Sequence, residues 1–326
     1  MLHSTSKKCV IGVNISLHTT TYAIVDLRGN IIAMDKFLTQ EHPNINEFIS
    51  YLTEKLVEMM EAHGGYDSIR SVGIGVLSGN FVKGCIEHSS SLPWKGEVPL
   101  ASLLRDQLGM AVAVGNNAHV RALGEQAFGS AHGMSDFIVI TLGPGLGSCI
   151  FSNGRPHLGH EGFAGEIGHV CVKPDGRSCK CGGRGCLEAY CAEEGVVKTA
   201  QKLMAQNDKP SLLRHYPELT PEIIIECCEK GDETAIEVFR RTGEMLGLGI
   251  SAYASVINPE AIIFTGGISR AGHWLFDPAR KIFEENVFHN LRGRVRFLTS
   301  ALTDIERSVL GASVLAWKVK EYSLFK

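Results

Sequence analysis

No stretch of the 326 residues stays apolar over the roughly 18–20 positions that a membrane-spanning helix needs. The opening residues 1–16 carry no apolar core followed by small residues, so no export signal is expected. Neither sign of charge dominates. The 32 Lys and Arg against 35 Asp and Glu leave a net charge of −3, which gives no overall attraction to nucleic acid or to an anionic membrane. Ten cysteines are too dilute for a disulfide scaffold in a chain this long, so a reducing cytoplasm is the expected location. Low-complexity stretches and short internal repeats are absent as well.

What is there is ordinary globular material. Hydrophobic residues make up 44% and charged residues 21%, enough to bury a sizeable core and to exclude general disorder. At roughly 150 residues per domain the length predicts about two domains. β-Branched and apolar runs predict strands over 9–16 and 20–27, and Arg28-Gly29-Asn30 turns the chain into a third over 31–38. Phe48, Ile49, Leu52, Leu56, Met59 and Met60 recur at helical spacing, predicting a helix over 46–63 that Gly64-Gly65 ends. A strand over 71–77, a helix over 99–108, a strand over 110–114 and a helix from Asn116 or Asn117 to Phe128 follow.

Strands then start again. Residues 136–142 and 148–151 flank the turn Gly143-Pro144-Gly145-Leu146-Gly147, and Asn153-Gly154 signals another hairpin. Beyond Leu187 the pattern is mainly helical, with a long helix over 232–256, strands over 261–265 and 295–299, and a closing helix over 308–322. Each half opens with strands and continues with helices. That order predicts two α/β domains with a cleft between them, and their similar openings suggest a duplicated architecture.

The densest chemical signal is His169-x9-Cys179-x-Cys181-x4-Cys186. One imidazole and three thiolates make a closed tetrahedral set suited to structural zinc, with no position left for a reactive water. Gly182-Gly183 and Gly185 let the chain turn tightly enough for the sulfurs to converge. Cys-x-Cys alone is equally compatible with reduced thiols and a packing histidine. The turn Gly143-Pro144-Gly145 sits between two strands, where backbone N–H groups can face an anion, although a plain tight hairpin reads the same way. It matches neither a Walker loop nor a dinucleotide fingerprint, since no helix directly follows. Thr265-Gly266-Gly267 after a buried strand is open to the same two readings.

Phe163-Ala164-Gly165-Glu166-Ile167-Gly168-His169, followed by Cys179-Lys180-Cys181-Gly182-Gly183-Arg184-Gly185-Cys186-Leu187-Glu188, resembles the signature of the ROK family. That family holds bacterial glucokinases, fructokinases, N-acetylmannosamine kinases and sugar-responsive repressors. The resemblance extends through Leu92-Pro93-Trp94-Lys95-Gly96, Ala122-Leu123-Gly124-Glu125, Asn258-Pro259-Glu260-Ala261 and Leu310-Gly311-Ala312-Ser313, nearly the whole chain. The repressors carry an added N-terminal helix-turn-helix, for which a first strand at residue 9 leaves no room, so no nucleic-acid partner is expected. The resemblance implies an actin-like, hexokinase-like (ribonuclease H-like) α/β fold of two domains with a zinc-binding loop. The domains would be residues 1–118 with 308–326, and 119–307. It also implies a homodimer. It places the hydroxyls of a hexose or N-acetylhexosamine on Asn80, Asn116, Asn117, Glu166, His169 and Glu188, with the metal loop bracing the two glutamates. Amides and carboxylates suit a polyol because each can bond adjacent hydroxyls.

Three positions depart from the family pattern. Its first phosphate loop, Asp-x-Gly-Gly-Thr, is here Asn14-Ile15-Ser16-Leu17-His18. Its Asn-Asp pair, whose Asp is the general base, is Asn116-Asn117. Its second loop, Gly-Thr-Gly, is Gly143-Pro144-Gly145, and the proline removes a hydroxyl and an N–H together. In the family these positions, with Gly266 and Gly267, serve Mg-ATP. The expectation is a sugar-binding glucokinase homologue whose phosphotransfer to the sugar 6-hydroxyl is weak or lost. The alternatives are a working ATP-dependent hexose or N-acetylhexosamine kinase, and a non-catalytic assembly protein. His119 could stand in as a base but reads better as packing. His160 and Glu161 lie in a loop within reach of the sugar region, and Cys227-Cys228 read as helix packing residues.

Overall fold

β1 (Cys9–Ile15) is almost wholly buried, as its β-branched and apolar residues require of a central strand. The computed structural model describes residues 7–89, 92–206 and 208–319. β1 pairs antiparallel with β2 (Thr19–Asp26), which pairs antiparallel with β3 (Ile31–Leu38). α1 (Ile45–Ala62) follows. The Asn44 side chain accepts from the N–H groups of Asn46 and Glu47 to cap it, and its six predicted apolar residues are buried. β4 (Ile69–Val76) joins the other edge of β1 in parallel. The short strands β5 (Gly79–Asn80), β6 (Cys85–Glu87) and β7 (Glu97–Val98) form a small separate sheet, after which come α2 (Leu100–Leu108) and β8 (Ala111–Asn116). β8 extends the main sheet in parallel, giving the order β3-β2-β1-β4-β8.

α3 (Asn117–Phe128) belongs with this sheet because of a partner far along the chain. The closing helix, Asp304–Lys318, crosses it so closely that a Cβ on Gly311 would sit 1.9 Å from the Val120 carbonyl oxygen. Beside that crossing Arg307 Nε donates to Glu125 Oε1 at 2.9 Å, with both side chains buried. One compact unit therefore comprises the chain up to Gly133, Gly159–Gly162 and the chain from Ala301 onward. The division expected after residue 118 would cut through α3. The closing helix starts at Asp304 rather than 308, set by a capping box between Thr303 and Glu306, and its expected last residues 320–322 lie outside the described residues.

The second unit, Met134–Leu158 with Phe163–Ser300, repeats the plan. β9 (Phe137–Leu142), β10 (Leu146–Ser152) and β11 (Arg155–Pro156) run antiparallel. Four helices then precede the next strand: α4 (Glu188–Cys191), α5 (Glu193–Gln206), α6 (Pro221–Glu229) and α7 (Glu233–Ile257). β12 (Ala261–Thr265) and β13 (Arg296–Thr299) add in parallel beside β9, and α8 (His273–Asn286) connects them. The order β11-β10-β9-β12-β13 is again three antiparallel strands followed by two parallel ones. Cys227 and Cys228 are buried in α6 as packing residues of this unit's core. Among the described residues no helix is long and apolar enough to cross a membrane.

Candidate functional site

In the first unit, the turn joining β1 to β2 closes on itself. Ser16 Oγ donates to the Thr19 carbonyl at 2.8 Å and accepts from the Thr19 N–H at 3.1 Å. None of Ser16, Leu17 and His18 takes a left-handed φ, so the residues standing in place of glycines are unstrained. Asn14 is half-buried on β1, and its side chain bonds no described residue.

Asn116 caps α3, its Oδ1 accepting from the Ala118 N–H at 2.8 Å. Asn117 is buried at the first helical position. Its Nδ2 donates to the Ile15 carbonyl at 3.4 Å, and its Oδ1 is buried with no hydrogen-bond partner. An unsatisfied buried oxygen is uncommon, and this one leaves Asn117 with an acceptor that no described residue uses. His119 is buried two residues on.

Asn80, at the end of β5, has no hydrogen-bonding capacity left. Its Nδ2 donates to Glu87 Oε2 at 2.7 Å and to the Glu161 carbonyl at 3.1 Å. Its Oδ1 accepts from the N–H groups of Val82 (2.8 Å) and Lys83 (3.1 Å). Two donors and two lone pairs exhaust an amide, so a ligand hydroxyl must displace one of these partners.

In the second unit, His169 ends a short 3-10 turn whose preceding residue is Glu166. Although Glu166 is open at the surface, desolvation pushes its carboxyl pKa up; His169 opposes the shift and the Glu188 charge adds to it. His169, Cys179, Cys181 and Cys186 bring one donor atom each to within 4.8 Å of the others. Cys181 and Cys186 Sγ are 3.7 Å apart, and Cys179 Sγ lies 3.8 Å from His169 Nδ1. A tetrahedral ion with metal–sulfur bonds of about 2.3 Å demands a sulfur–sulfur edge of about 3.8 Å, so the donors fit a four-coordinate metal. Gly182 and Gly185 supply the left-handed φ values of the loop. A second convergence, Cys85 with Glu87 and Glu97, already has a cation beside it, since Lys83 pairs with both glutamates.

Glu188 opens α4 and faces two ways. Its Oε2 accepts from the Leu146 N–H at 2.9 Å, and its Oε1 lies 4.0 Å from Cys179 Sγ. It therefore joins the metal loop to the hairpin that carries Gly143-Pro144-Gly145. Pro144 is exposed at the tip of that hairpin, while Gly143 N donates to the Gly145 carbonyl. Gly266 takes φ +89° and packs so tightly on Leu142 that a Cβ there would meet its carbonyl oxygen at 2.2 Å. The two glycine turns are thus neighbours, and only glycine fits at position 266.

A model of the ROK family matches residues 10–319. The chain belongs to the ROK family. It is 28% identical to the glucokinase of Halalkalibacterium halodurans over 323 residues, covering 97% of this chain and 96% of that one. Similarity also reaches the DNA-binding transcriptional dual regulator NagC of Escherichia coli, at 28% identity over 94% of this chain and 74% of that protein. Among solved structures it resembles the ROK family glucokinase of Streptomyces griseus, crystallised with glucose and AMPPNP. That match has TM-score 0.78 and 29% identity, covering 95% of this chain and all of that one. The mixed α/β fold built on two five-stranded sheets is that of ROK sugar kinases, which is the actin-like, hexokinase-like class expected.

Several supporting residues of this ROK chain carry no signal of their own in the sequence. Arg177 stacks on the Tyr190 ring and donates to the Ala189 and Gly195 carbonyls and to Thr199 Oγ1, fastening the metal loop to α4 and α5. The Glu161 carbonyl serves as an acceptor for Asn80. Glu193 and Glu222 stand directly against the glycine turns.

Proposed function

We propose that this chain is a glucokinase-like ROK protein that binds a hexose or N-acetylhexosamine and has weak or lost ATP-dependent phosphorylation at the sugar 6-hydroxyl. The sugar would be held by Asn80, Asn116, Asn117, Glu166, His169 and Glu188. Structural zinc at His169, Cys179, Cys181 and Cys186 would fix the strand-to-helix segment that ends in Glu188, and its role would be to hold shape. The observation that carries the reading is Asn117. An amide stands at the family's general-base position and donates to the Ile15 carbonyl, with its own oxygen buried and unpartnered. An amide accepts a hydrogen bond but takes no proton at neutral pH, and loss of a positioned base lowers a rate by about 10²- to 10⁴-fold.

The residues at the phosphate positions do not suit Mg-ATP. Asn14 and Asn117 offer neutral amides where a hard divalent cation prefers carboxylate oxygen, and Pro144 brings no N–H to a phosphate. Sugar recognition asks for less. The unpartnered Asn117 Oδ1 can accept from a hydroxyl, and the free amide hydrogens of Asn116 can donate to one. The test is mass-spectrometric detection of sugar phosphate after incubation with Mg-ATP and a panel of hexoses and N-acetylhexosamines, paired with thermal melts. The expected result is no product over many turnovers and a melt raised by at least one sugar. Similarity to a glucokinase along nearly the whole chain favours a second reading, a working kinase, because a loose transition state needs little base. Accumulating product would establish it and name the substrate.

A further inference from the structure

Three carboxylates border the two glycine turns: Glu188, which accepts from the Leu146 N–H and lies 3.1 Å from where a Cβ on Gly145 would be, and beyond it Glu193 and Glu222. The turns at Gly143–Gly145 and Gly266–Gly267 adjoin through the packing of Gly266 on Leu142. The N-terminus of a helix reaches each turn. α5 begins at Glu193, whose N–H donates to the Gly143 carbonyl at 2.9 Å and whose Oε1 lies 4.0 Å from where a Cβ on Gly143 would be. α6 is capped by Thr220 and carries Glu222 in its first turn, with Oε1 3.2 Å from where a Cβ on Gly267 would be. A helix start beside a glycine turn collects phosphate, because free N–H groups and the positive end of the helix dipole face it. In this chain each start carries its own fixed anion. Burial, and after it the charge of Glu222, push the Glu193 carboxyl pKa up, as two carboxylates bordering one space should.

We propose that Glu193 and Glu222 exclude polyphosphate from these turns, so that the protein rejects nucleoside di- and triphosphates by charge as well as by loss of loop donors. This rests on the reading of the two turns as the place where a nucleotide would sit. A phosphate brought to either turn meets a carboxylate beside the turn's glycine. The excluded class is defined by charge: adenosine carries none, ADP carries several.

The experiment is calorimetric titration of the whole protein with ADP and with adenosine, in wild type, Glu193→Gln, Glu222→Gln and the double variant. Glutamine keeps the shape of each side chain, and a hexose-induced rise in melting temperature reports that each variant is folded and its sugar side intact. ADP is expected to bind the double variant at least about tenfold more tightly than wild type, with a gain that shrinks at high salt, while adenosine changes by less than about twofold. Equal ADP affinity in wild type and double variant, including none in either, overturns the proposal. So does a gain for adenosine as large as that for ADP. Failure of this kind leaves the sugar-binding reading standing wherever a hexose still raises the melt. A wild type that no hexose stabilises overturns that reading instead, and the ADP comparison still decides the role of the two carboxylates.

Discussion

The signature segment from Glu166 to Glu188 and the turns around Asn14, Asn117 and Pro144 are organised in different ways. Along the first, the polar groups converge and the backbone is organised around them. Four metal donors converge, Glu188 ties the metal loop to the hairpin, and Arg177 fastens the loop to its helices. Along the second, neutral groups stand at the named points. Amides stand at 14 and 117, Ser16 bonds within its own turn, and a proline occupies the hairpin tip. The difference separates two demands that a sugar kinase makes on one fold. Holding a polyol requires directional donors and acceptors, which amides supply. Moving a phosphoryl group requires charge at defined points, which amides do not supply.

The strongest way to break the comparison is to remove what holds the retained side together. Cys181→Ser is expected to abolish metal retention and to destabilise the second unit by on the order of 3–5 kcal/mol, because the four-donor closure is lost and the bonds of Arg177 and of the loop backbone must hold the loop unaided. Elemental analysis with calorimetric unfolding checks it, and full stability without bound metal would mean that the loop stands by itself. Glu188→Ala is next. It leaves the Leu146 N–H without its charged acceptor, at about 2–3 kcal/mol, and should weaken hexose binding while sparing metal content. Hexose titration and metal analysis on one preparation separate the two effects.

Placing charge on the other side sharpens the contrast. Asn117→Asp puts a carboxylate where Nδ2 now donates to the Ile15 carbonyl, so an oxygen would face an oxygen. The variant is expected to lose about 1–2 kcal/mol and to gain little phosphotransfer, since Asn14 and Pro144 remain. A gain of about 10²-fold or more in product formation would show instead that the base alone had been missing.

The sequence was informative wherever neighbours in the chain are also neighbours in space. β-Branched and apolar runs give the central strands, and the Cys-x-Cys spacing puts its thiols on one tight loop. It was silent where partners are distant. Glu125 and Arg307 lie 182 residues apart, and their pairing moves α3 into the first unit. Strands of two or three residues, such as those of the small sheet, are too short for an alternation to show. β10 begins at Leu146 and not at 148 because Leu146 pairs with Leu142, a choice made across the hairpin. Glu193 and Glu222 look like ordinary first-turn acids until the fold brings both to the glycine turns.

The smallest expected effect tests whether Asn80 is held ready or merely packed. Glu87 accepts from Asn80 Nδ2 and pairs with Lys83, and these two bonds, Lys83 first, hold its carboxyl below the usual glutamate range. A depressed folded-state pKa contributes stability above the ordinary value of 4.5, and the contribution disappears as pH falls through the folded pKa. Lys83 is 53% exposed, so screening limits the contribution to less than about 1 kcal/mol. Wild type should therefore melt slightly above Glu87→Gln near neutrality, and the gap should close in acid. If Asn80 contacts sugar, the variant should also bind hexose differently, because the partner that a hydroxyl must displace has lost its charge. A melting gap that persists in acid would mean that Glu87 acts through shape. A closing gap with unchanged hexose affinity would leave Asn80 as a structural amide of the small sheet.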